Sequence, residues 1–409
     1  MMRRVLMPAA LLAIIIHSMP GQRAATEGCN DSPAEPVTML AVPGTPFQAL
    51  PSADGCWVFV SLPAAGSGRP SQLAVLRHRG GALTIEHVMQ LEGGPTGMAL
   101  THDGRLLIVA AGPRIAFVDV ERFVGGRSDA VLGYLADPSI ARIGRIYANV
   151  TSDDKFAFVA DENAMTVTVL DLARTRESNF RVGSVVGRIP TGSLPIAVTL
   201  SPDERYMYVT SQWAPPALGW PIECKREGAN VSDSTAVHPQ GAIHIVDVAR
   251  ATTDPAHSII ASVPAGCSAV RLVLSPSGDR VYVTARNSNA LLAFDTAKLL
   301  SDPTRALVGR VPVGTAPVGI AVVDSGRKVI VTNSNRFASS NGDHQVLTVV
   351  DATRMADGAA AIVGTVAAGA FPREMRVTSD GRTLLLTNFG SSSVEMLDLS
   401  RLPIDPIKR

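Results

Sequence analysis

Charged side chains are scarce in this chain, and neither sign predominates. They make up 18% of 409 residues, with 37 Lys and Arg against 36 Asp and Glu, so the formal net charge is +1 at pH 7. Proteins that bind nucleic acid need a positive surface against the phosphates, and a near-neutral chain lacks one. Nucleic acid is therefore disfavoured as a partner. Because 46% of the residues are hydrophobic, the composition also excludes intrinsic disorder and allows a large core.

Long apolar runs are lacking after the N-terminus. Arg3 and Arg4 precede an apolar stretch of 12 residues, 5–16, which is too short to cross a membrane as a helix. This charge pattern is typical of a secretory signal peptide, and Ala24 and Ala25 offer small residues for cleavage. We predict a signal peptide over residues 1–25, with a buried N-terminal helix as the alternative, and a single domain over 26–409. The mature protein is then periplasmic or secreted, without a transmembrane segment.

Cysteine motifs and catalytic signatures are lacking as well. The four cysteines, Cys29, Cys56, Cys224 and Cys267, form no C-x-x-C or C-x-x-C-H arrangement, so neither a zinc site nor attached haem is supported. We predict no metal and no cofactor. The chain has no G-x-S-x-G, H-E-x-x-H or phosphate-loop motif, so catalytic residues stay unknown. An even cysteine count in an exported protein favours two disulfides, in any of three connectivities.

What the sequence does contain is a degenerate repeat. The segment 195–210 (PIAVTLSPDERYMYVT) recurs in weakened form, for example at 95–105 and 372–382. A polar turn residue marks each copy, and successive markers lie 48 to 55 residues apart except for one interval of 74. The markers are Asp54, Asp103, Asp153, Asp203, Ser277, Ser325 and Asp380. Seven markers predict seven units.

Each unit has the pattern of four short strands. An alternating apolar run leads into the turn, a second run follows, a third run ends in Asp, and a fourth leads to a loop rich in Pro or Gly. Units of this size with four strands are typical of propeller blades. The sequence therefore predicts an all-β, seven-bladed β-propeller.

The repeat resembles that of the YVTN-family β-propellers, the YncE-like group, over residues 36–403. Tyr208 and Tyr282 each begin the letters Tyr-Val-Thr, and Asn333 ends the letters Val-Thr-Asn. The resemblance implies the propeller fold. It implies little about activity, because the motif is structural.

The last unit holds only three strands, and residues 37–42 supply the missing outer strand. Closure by this N-terminal strand removes open sheet edges. The topology also predicts on which face of the disc each cysteine lies. Loops between second and third strands, and between blades, lie on one face of the disc, here called the top face. Cys224 and Cys267 fall there on adjacent blades, whereas Cys29 and Cys56 fall on the opposite, bottom face. We therefore predict disulfides 29–56 and 224–267.

A few charged residues stand out on the inner strands. Alternate positions are apolar and are expected between blades, while the positions facing the central channel are mostly small or neutral. The exceptions are Arg271, Glu374 and Arg376, to which Tyr147 and Asn149 add polar groups. Arginine suits carboxylate and phosphate recognition, so we predict a clamp for a small anionic ligand. A salt bridge that merely caps the channel is the alternative.

A long insertion in the fourth unit accounts for the 74-residue interval. It covers residues 211–241 on the predicted top face and carries Trp213 and Trp220. Loops on a rigid scaffold often carry recognition, and aromatic residues often anchor partners. The insertion is a second candidate binding region. Alternatively, its tryptophans only cover their own blade.

Three functions fit these features. We favour an exported, monomeric, non-catalytic scaffold that binds a protein, peptide or small ligand through its top-face loops or channel. The second is a hydrolase resembling lactonases of the 6-phosphogluconolactonase type, in which Arg271, Glu374 and Arg376 would recognise and activate an anionic lactone. The third is a propeller partner of a redox enzyme, resembling the propeller subunits of amine dehydrogenases.

Overall fold

Seven antiparallel β-sheets are arranged as blades around a ring. The computed structural model describes residues 29, 31–64, 70–136, 144–180, 185–218, 224, 240–336 and 345–407. The first strand of each blade packs against the first strands of both neighbouring blades, and the first strands of blades 1 and 7 also meet. The predicted all-β, seven-bladed propeller of four-stranded blades is therefore confirmed.

The blades follow one another along the chain, with the first strand innermost. Before blade 1 lies β1 (Val37–Ala41), and blade 1 contains β2 (Gln48–Pro51), β3 (Trp57–Leu62), β4 (Gln72–Arg79) and β5 (Ala82–Gln90). Blade 2 contains β6 (Pro95–Leu100), β7 (Leu106–Ala111), β8 (Arg114–Asp119) and β9 (Val131–Ala136). Blade 3 contains β10 (Arg145–Val150), β11 (Phe156–Asp161), β12 (Thr166–Asp171) and β13 (Val185–Pro190). Blade 4 contains β14 (Ser193–Leu200), β15 (Tyr206–Trp213), β16 (Gln240–Asp247) and β17 (Ile259–Cys267).

Blades 5 to 7 repeat this order. Blade 5 contains β18 (Ala269–Leu274), β19 (Arg280–Ala285), β20 (Ala290–Asp295) and β21 (Leu307–Pro312). Blade 6 contains β22 (Pro317–Val323), β23 (Lys328–Asn333), β24 (Val346–Asp351) and β25 (Ile362–Ala367). Blade 7 contains β26 (Pro372–Val377), β27 (Thr383–Asn388) and β28 (Ser393–Asp398), and β29 (Asp405–Pro406) follows it.

The N-terminal strand closes the ring as predicted. β1 pairs antiparallel with β28, from Val37 opposite Leu397 to Ala41 opposite Ser393. The C-terminal strand β29 was not predicted. It pairs with the outer strand β25 and gives blade 6 a fifth strand, which partly covers an open sheet edge.

Short helices follow several third strands. They are α1 (Val120–Val124), α2 (Leu172–Glu177), α3 (Val248–Ala251) and α4 (Thr296–Ser301). The 3₁₀ segments in the described residues are Pro216–Leu218, Pro255–His257, Arg286–Ser288, Pro303–Arg305, Asp324–Gly326 and the longer Ala352–Ala361. The aspartates that end the third strands explain the four helices. Asp119 accepts a hydrogen bond from the Arg122 backbone N–H at 2.9 Å, and Asp295 accepts one from Lys298 at 3.1 Å, as helix N-caps do.

The apolar positions of the repeat form the core between blades. Phe158 and Val169 of blade 3 pack with Val198 and Val209 of blade 4 in one cluster, and equivalent clusters join other neighbouring blades. The predicted alternation on the inner strands therefore places apolar side chains between blades. Within the described ranges, no helix is long and apolar enough to span a membrane.

Both predicted disulfides are present. Cys29 bonds to Cys56 and Cys224 bonds to Cys267, so all four cysteines are paired. The proposed signal peptide, Trp220 and most of the blade 4 insertion lie outside the described residues.

Candidate functional site

The predicted channel residues project from the inner strands of alternate blades. Tyr147 and Asn149 lie on β10 of blade 3, Arg271 lies on β18 of blade 5, and Glu374 and Arg376 lie on β26 of blade 7. These strands all face the same central channel, so their side chains approach one another across it.

Threonines of the repeat hold the backbone of two of these residues. The Thr284 hydroxyl accepts a hydrogen bond from the Arg271 backbone N–H at 3.1 Å and donates to the Val318 carbonyl of the next blade at 2.8 Å. Thr387 likewise accepts from the Glu374 N–H at 3.2 Å and contacts the next blade. Each amide lies beside a β-bulge, where the strand pairing is interrupted, so the hydroxyl satisfies a donor that the sheet leaves free.

Four side chains meet in the channel, and we name them the channel cluster: Tyr147, Arg271, Glu374 and Arg376. Arg271 Nε donates to Glu374 Oε2 at 2.9 Å, and Arg376 Nη2 lies 3.3 Å from Glu374 Oε1. Tyr147 donates its hydroxyl hydrogen to Glu374 Oε1, and Arg376 Nη2 donates to the Tyr147 oxygen. The guanidinium carbon of Arg271 also lies 4.0 Å from the centroid of the Tyr147 ring.

The channel cluster carries more positive than negative charge. Two guanidinium groups share the single carboxylate of Glu374, whose side chain is only 4% exposed. Desolvation opposes the charge of Arg376, but Tyr147 and Glu374 hold the pKa of this guanidinium above its ordinary value. Burial raises the pKa of Tyr147, so its hydroxyl keeps its proton and remains a donor.

A cavity of about 420 Å³ lies between the channel cluster and the bottom face. The cluster, Asn149 and Thr199 line its inner part, and Thr101 and His102 line its outer part at a bottom turn. Arg376 borders this cavity and keeps 36% of its side chain exposed. Asn149 is already engaged, because its Nδ2 donates to the Val198 carbonyl at 3.1 Å.

The tryptophan candidate does not join this site. Trp213 ends β15 on the top face and is 45% exposed, and it is not among the residues that line the cavity beside the channel cluster. Trp220 lies outside the described residues. The insertion as a binding region therefore stays a prediction.

Sequence reasoning missed a second group of arginines at the top mouth of the channel. Arg286, Arg336 and Arg373 lie at the top ends of the adjacent blades 5, 6 and 7, and Glu162 lies at the top of blade 3. We name these four residues the mouth cluster. Arg286 directly follows the second strand β19, Arg336 lies in the loop after the second strand β23, and Arg373 is the second residue of the first strand β26. No shared period along the strands marks these three positions in the sequence.

Metal chemistry finds no support in the described part of the chain, where no group of three or more His, Cys, Asp or Glu side chains is placed to hold an ion. The described residues also contain no further feature that bears on the redox-partner hypothesis, which stays a prediction.

Comparisons with known proteins show likeness at the level of fold. No family model and no curated protein matches the chain. Among solved structures, it is similar to hydrazine synthase of Kuenenia stuttgartiensis, with 16% identity, a TM-score of 0.62, and 90% of this chain and 98% of that chain covered. It is also similar to the periplasmic gluconolactonase PpgL of Pseudomonas aeruginosa, with 20% identity, a TM-score of 0.58, and 83% and 88% covered.

A third similar structure is the β-propeller domain of Cps50 (Swd1) from Myceliophteria thermophila. The identity is 10% and the TM-score 0.59, with 88% of this chain and 99% of that chain covered. Such low identities establish the propeller fold and no activity. Membership of the YVTN family stays a prediction.

Proposed function

We propose that this protein is an exported, non-catalytic β-propeller that binds a small carboxylate in the cavity below the channel cluster. The observation that carries the proposal is the second guanidinium of the cluster. Glu374 balances one of the two arginines, and Arg376, which borders the cavity, is left with excess positive charge.

The arginine geometry favours an anion. A charge inside a protein is costly unless it is paired. In the described residues, Arg376 Nε and Arg271 Nη1 have no hydrogen-bond acceptor. A carboxylate in the cavity would supply both the charge and an acceptor for the planar guanidinium of Arg376.

The cavity favours a ligand of modest size. Its volume of about 420 Å³ lies in the range usual for sites of small molecules. The Thr199 hydroxyl at its wall offers a hydrogen bond to a second polar group. A hydroxy acid or sugar acid fits this combination.

Export is supported by the cysteines. Both disulfides of the chain form between residues far apart in sequence, and such bonds persist mainly in oxidising compartments. Together with the predicted signal peptide, they favour a periplasmic or secreted protein.

Lactone hydrolysis is the second candidate function. PpgL, a similar fold, is a gluconolactonase, and the cavity presents a tyrosine and two arginines together. The contacts of Glu374 argue against this function, because its two carboxylate oxygens already bind Arg271, Arg376 and Tyr147. General-base catalysis needs a group within reach of the attacking water, and a carboxylate held in this way is poorly placed to serve as one.

Titration calorimetry of the mature protein with acetate, lactate and gluconate tests the proposal. We expect saturable binding that weakens by about 1.5–3 kcal/mol in Arg376→Leu, because a hydrogen bond between charged groups is lost. Arg305→Leu is the matched control, since it removes the same charge from a side chain that is 82% exposed.

Two outcomes would change the assignment. If the parent binds none of these carboxylates, or if Arg376→Leu binds them as well as Arg305→Leu does, the channel cluster is structural. If gluconolactone is instead converted with release of a proton, and Arg376→Leu stops that release, the protein is a lactonase.

A further inference from the structure

Two tyrosines occupy a position that is apolar in the other five blades. Tyr208 of blade 4 and Tyr282 of blade 5 are each the third residue of the second strand, and each begins the letters Tyr-Val-Thr of the repeat. The other blades have the buried residues Phe59, Ile108, Phe158, Ile330 and Leu385 at this position. Because phenylalanine fills the position in blades 1 and 3, packing between blades does not require the tyrosine hydroxyl.

Both tyrosines line cavities on the bottom face. A cavity of about 400 Å³ lies between blades 4 and 5, and Tyr208 and Leu300 are among its walls. A cavity of about 580 Å³ lies between blades 5 and 6, and Tyr282 and Met355 are among its walls. We name these cavities the blade 4/5 groove and the blade 5/6 groove. Ser277, on the turn between β18 and β19, lines both, so the two grooves are neighbours.

The hydroxyl groups of the two tyrosines have no hydrogen-bond partner among the described residues. Each tyrosine is only 3% exposed, and a buried polar group without a hydrogen bond costs free energy. Burial, with smaller contributions from Asp203 and Tyr206, raises the pKa of Tyr208 to about 12. This hydroxyl therefore keeps its proton, and a ligand in the groove that accepts a hydrogen bond from it would remove the cost.

A carboxylate accompanies the tyrosine in each groove. Asp203 lines the blade 4/5 groove, and its Oδ1 accepts from the Ser201 hydroxyl at 2.6 Å and from the Arg205 N–H at 3.2 Å. Asp279 lines the blade 5/6 groove, with Arg280 Nη1 3.5 Å from its Oδ2. The charge of Arg205 likewise acts on Asp203. Because an arginine offsets each carboxylate, the grooves favour a neutral ligand over an ion.

A sugar ring matches this combination of groups. Its hydroxyl groups both donate and accept hydrogen bonds, as every hydroxyl does, so they can accept from Tyr208 and donate to Asp203 together. Its C–H face is apolar and suits the ring of Tyr206 and the side chain of Leu300, which is 38% exposed at the groove wall. The volumes of both grooves lie in the range usual for sites of small molecules.

We propose that the two grooves bind a neutral oligosaccharide, with one sugar ring in each groove. Tyr208 and Tyr282 donate their hydroxyl hydrogens to sugar oxygens, and Asp203 accepts from a sugar hydroxyl. Two neighbouring grooves suit a ligand of repeating units, because binding of the first unit gives the second a high effective concentration. The function is independent of the carboxylate site, since neither tyrosine lines the cavity below the channel cluster.

Calorimetry of the mature protein with maltohexaose, cellohexaose and N-acetylchitohexaose tests the proposal. We expect saturable binding of at least one of them, weakened about tenfold in Tyr208→Phe and in Tyr282→Phe, because each variant loses one hydrogen bond. The double variant should bind more weakly than either. Both single variants should fold, since phenylalanine occupies this position in blades 1 and 3. Tyr134→Phe is the matched control, because it removes a hydroxyl that accepts from the Glu92 N–H at 3.3 Å, away from both grooves.

Three outcomes would overturn the proposal. It is wrong if the parent binds none of these oligosaccharides, or if Tyr208→Phe and Tyr282→Phe bind them as tightly as Tyr134→Phe does. If only one of the two variants weakens binding, the ligand does not span both grooves, which contradicts one sugar ring in each. Arg376→Leu should bind the oligosaccharide like the parent, because it alters only the channel cluster. A loss of binding in that variant would place the sugar in the channel cavity instead.

Discussion

At the scale of single residues, one threonine hydroxyl both links two neighbouring blades and holds the backbone of a channel residue. Thr284 joins blade 5 to the Val318 carbonyl of blade 6 and also accepts from the Arg271 N–H. The threonine of the repeat motif therefore fixes the backbone from which a channel arginine projects. Architecture and site are coupled at this residue.

Thr284→Val tests that coupling with little change of shape. It leaves the buried Arg271 N–H and Val318 carbonyl without their partner, so we expect a loss of about 1–3 kcal/mol in unfolding free energy. Urea denaturation measures it. Thr284→Ser, which keeps the hydroxyl, should lose clearly less, and equal losses in the two variants would contradict the hydrogen-bond explanation.

A buried histidine gives the stability a pH dependence. His244 Nε2 contacts the Ser211 hydroxyl at 2.9 Å, and Nδ1 contacts the Ser262 hydroxyl at 2.8 Å. Burial lowers the pKa of His244 to about 4, whereas an unfolded histidine titrates near 6.5. Between these values the unfolded chain binds the extra proton, so stability falls as the pH drops from about 6.5 towards 4.

We expect this histidine to contribute a slope of up to about 1.4 kcal/mol per pH unit in that window. Denaturant unfolding of the parent and of His244→Gln at several pH values measures the contribution. The slope should be shallower in the variant. If both proteins lose stability equally between pH 6.5 and 4, other groups cause the effect.

The sequence predicts the positions of the channel residues better than those of the mouth residues. The reason is that the mouth residues lie at a β-bulge or in loops. Strict alternation along β26 places Glu374 and Arg376 in the channel, as the structure has them, and would place Arg373 between blades. However, the strand pairing shifts between Pro372 and Glu374. A bulge breaks the alternation of side chains, so a period-two pattern cannot say where Arg373 points. The loop arginines Arg286 and Arg336 follow no period at all.

At the scale of elements, periodicity predicts long strands and misses short ones. The repeat locates all seven blades and the closing strand, because each carries an apolar alternation. β29 has two residues and therefore no period to detect. The short helices escape the pattern for a different reason, because the aspartates that cap them are also the last residues of the third strands.

The closing strand should be essential for a closed ring. Deleting residues 26–42 exposes the edge of β28, which now pairs with β1 over five residues. An exposed edge invites association, so we expect a lower melting temperature and oligomers in light scattering. The deletion also removes Cys29, so the double variant Cys29→Ser/Cys56→Ser is the control. A truncated protein that stays monomeric and melts like this control would contradict the role of β1.

At the scale of the whole molecule, neighbouring blades are linked on the bottom face as well as through the core. Asp154 of blade 3 accepts hydrogen bonds from the backbone N–H groups of His102 and Asp103 in blade 2, at 2.8 and 3.0 Å. Glu204 of blade 4 similarly accepts from the Ser152 N–H at 2.7 Å and its hydroxyl at 3.0 Å. Carboxylates thus tie the turn of one blade to that of the preceding blade.

The backbone is strained at Glu204, where one of these links is made. Substitutions at this position can therefore separate the cost of the strain from the stability that the hydrogen bonds contribute. Glu204 has φ +52°, whereas the corresponding turns of blades 1, 2, 5 and 7 place Gly55, Gly104, Gly278 and Gly381 there. A side chain in this left-handed region costs about 1–2 kcal/mol, while two bonds to a carboxylate are together worth more. We therefore expect the parent to have the highest melting temperature in thermal unfolding. Glu204→Gly should melt at a lower temperature, because it loses the hydrogen bonds but relieves the strain. Glu204→Ala should melt lowest, because it loses the hydrogen bonds and keeps the strain. If Glu204→Gly is as stable as the parent, the hydrogen bonds of the Glu204 carboxylate do not increase the stability by more than the backbone strain costs.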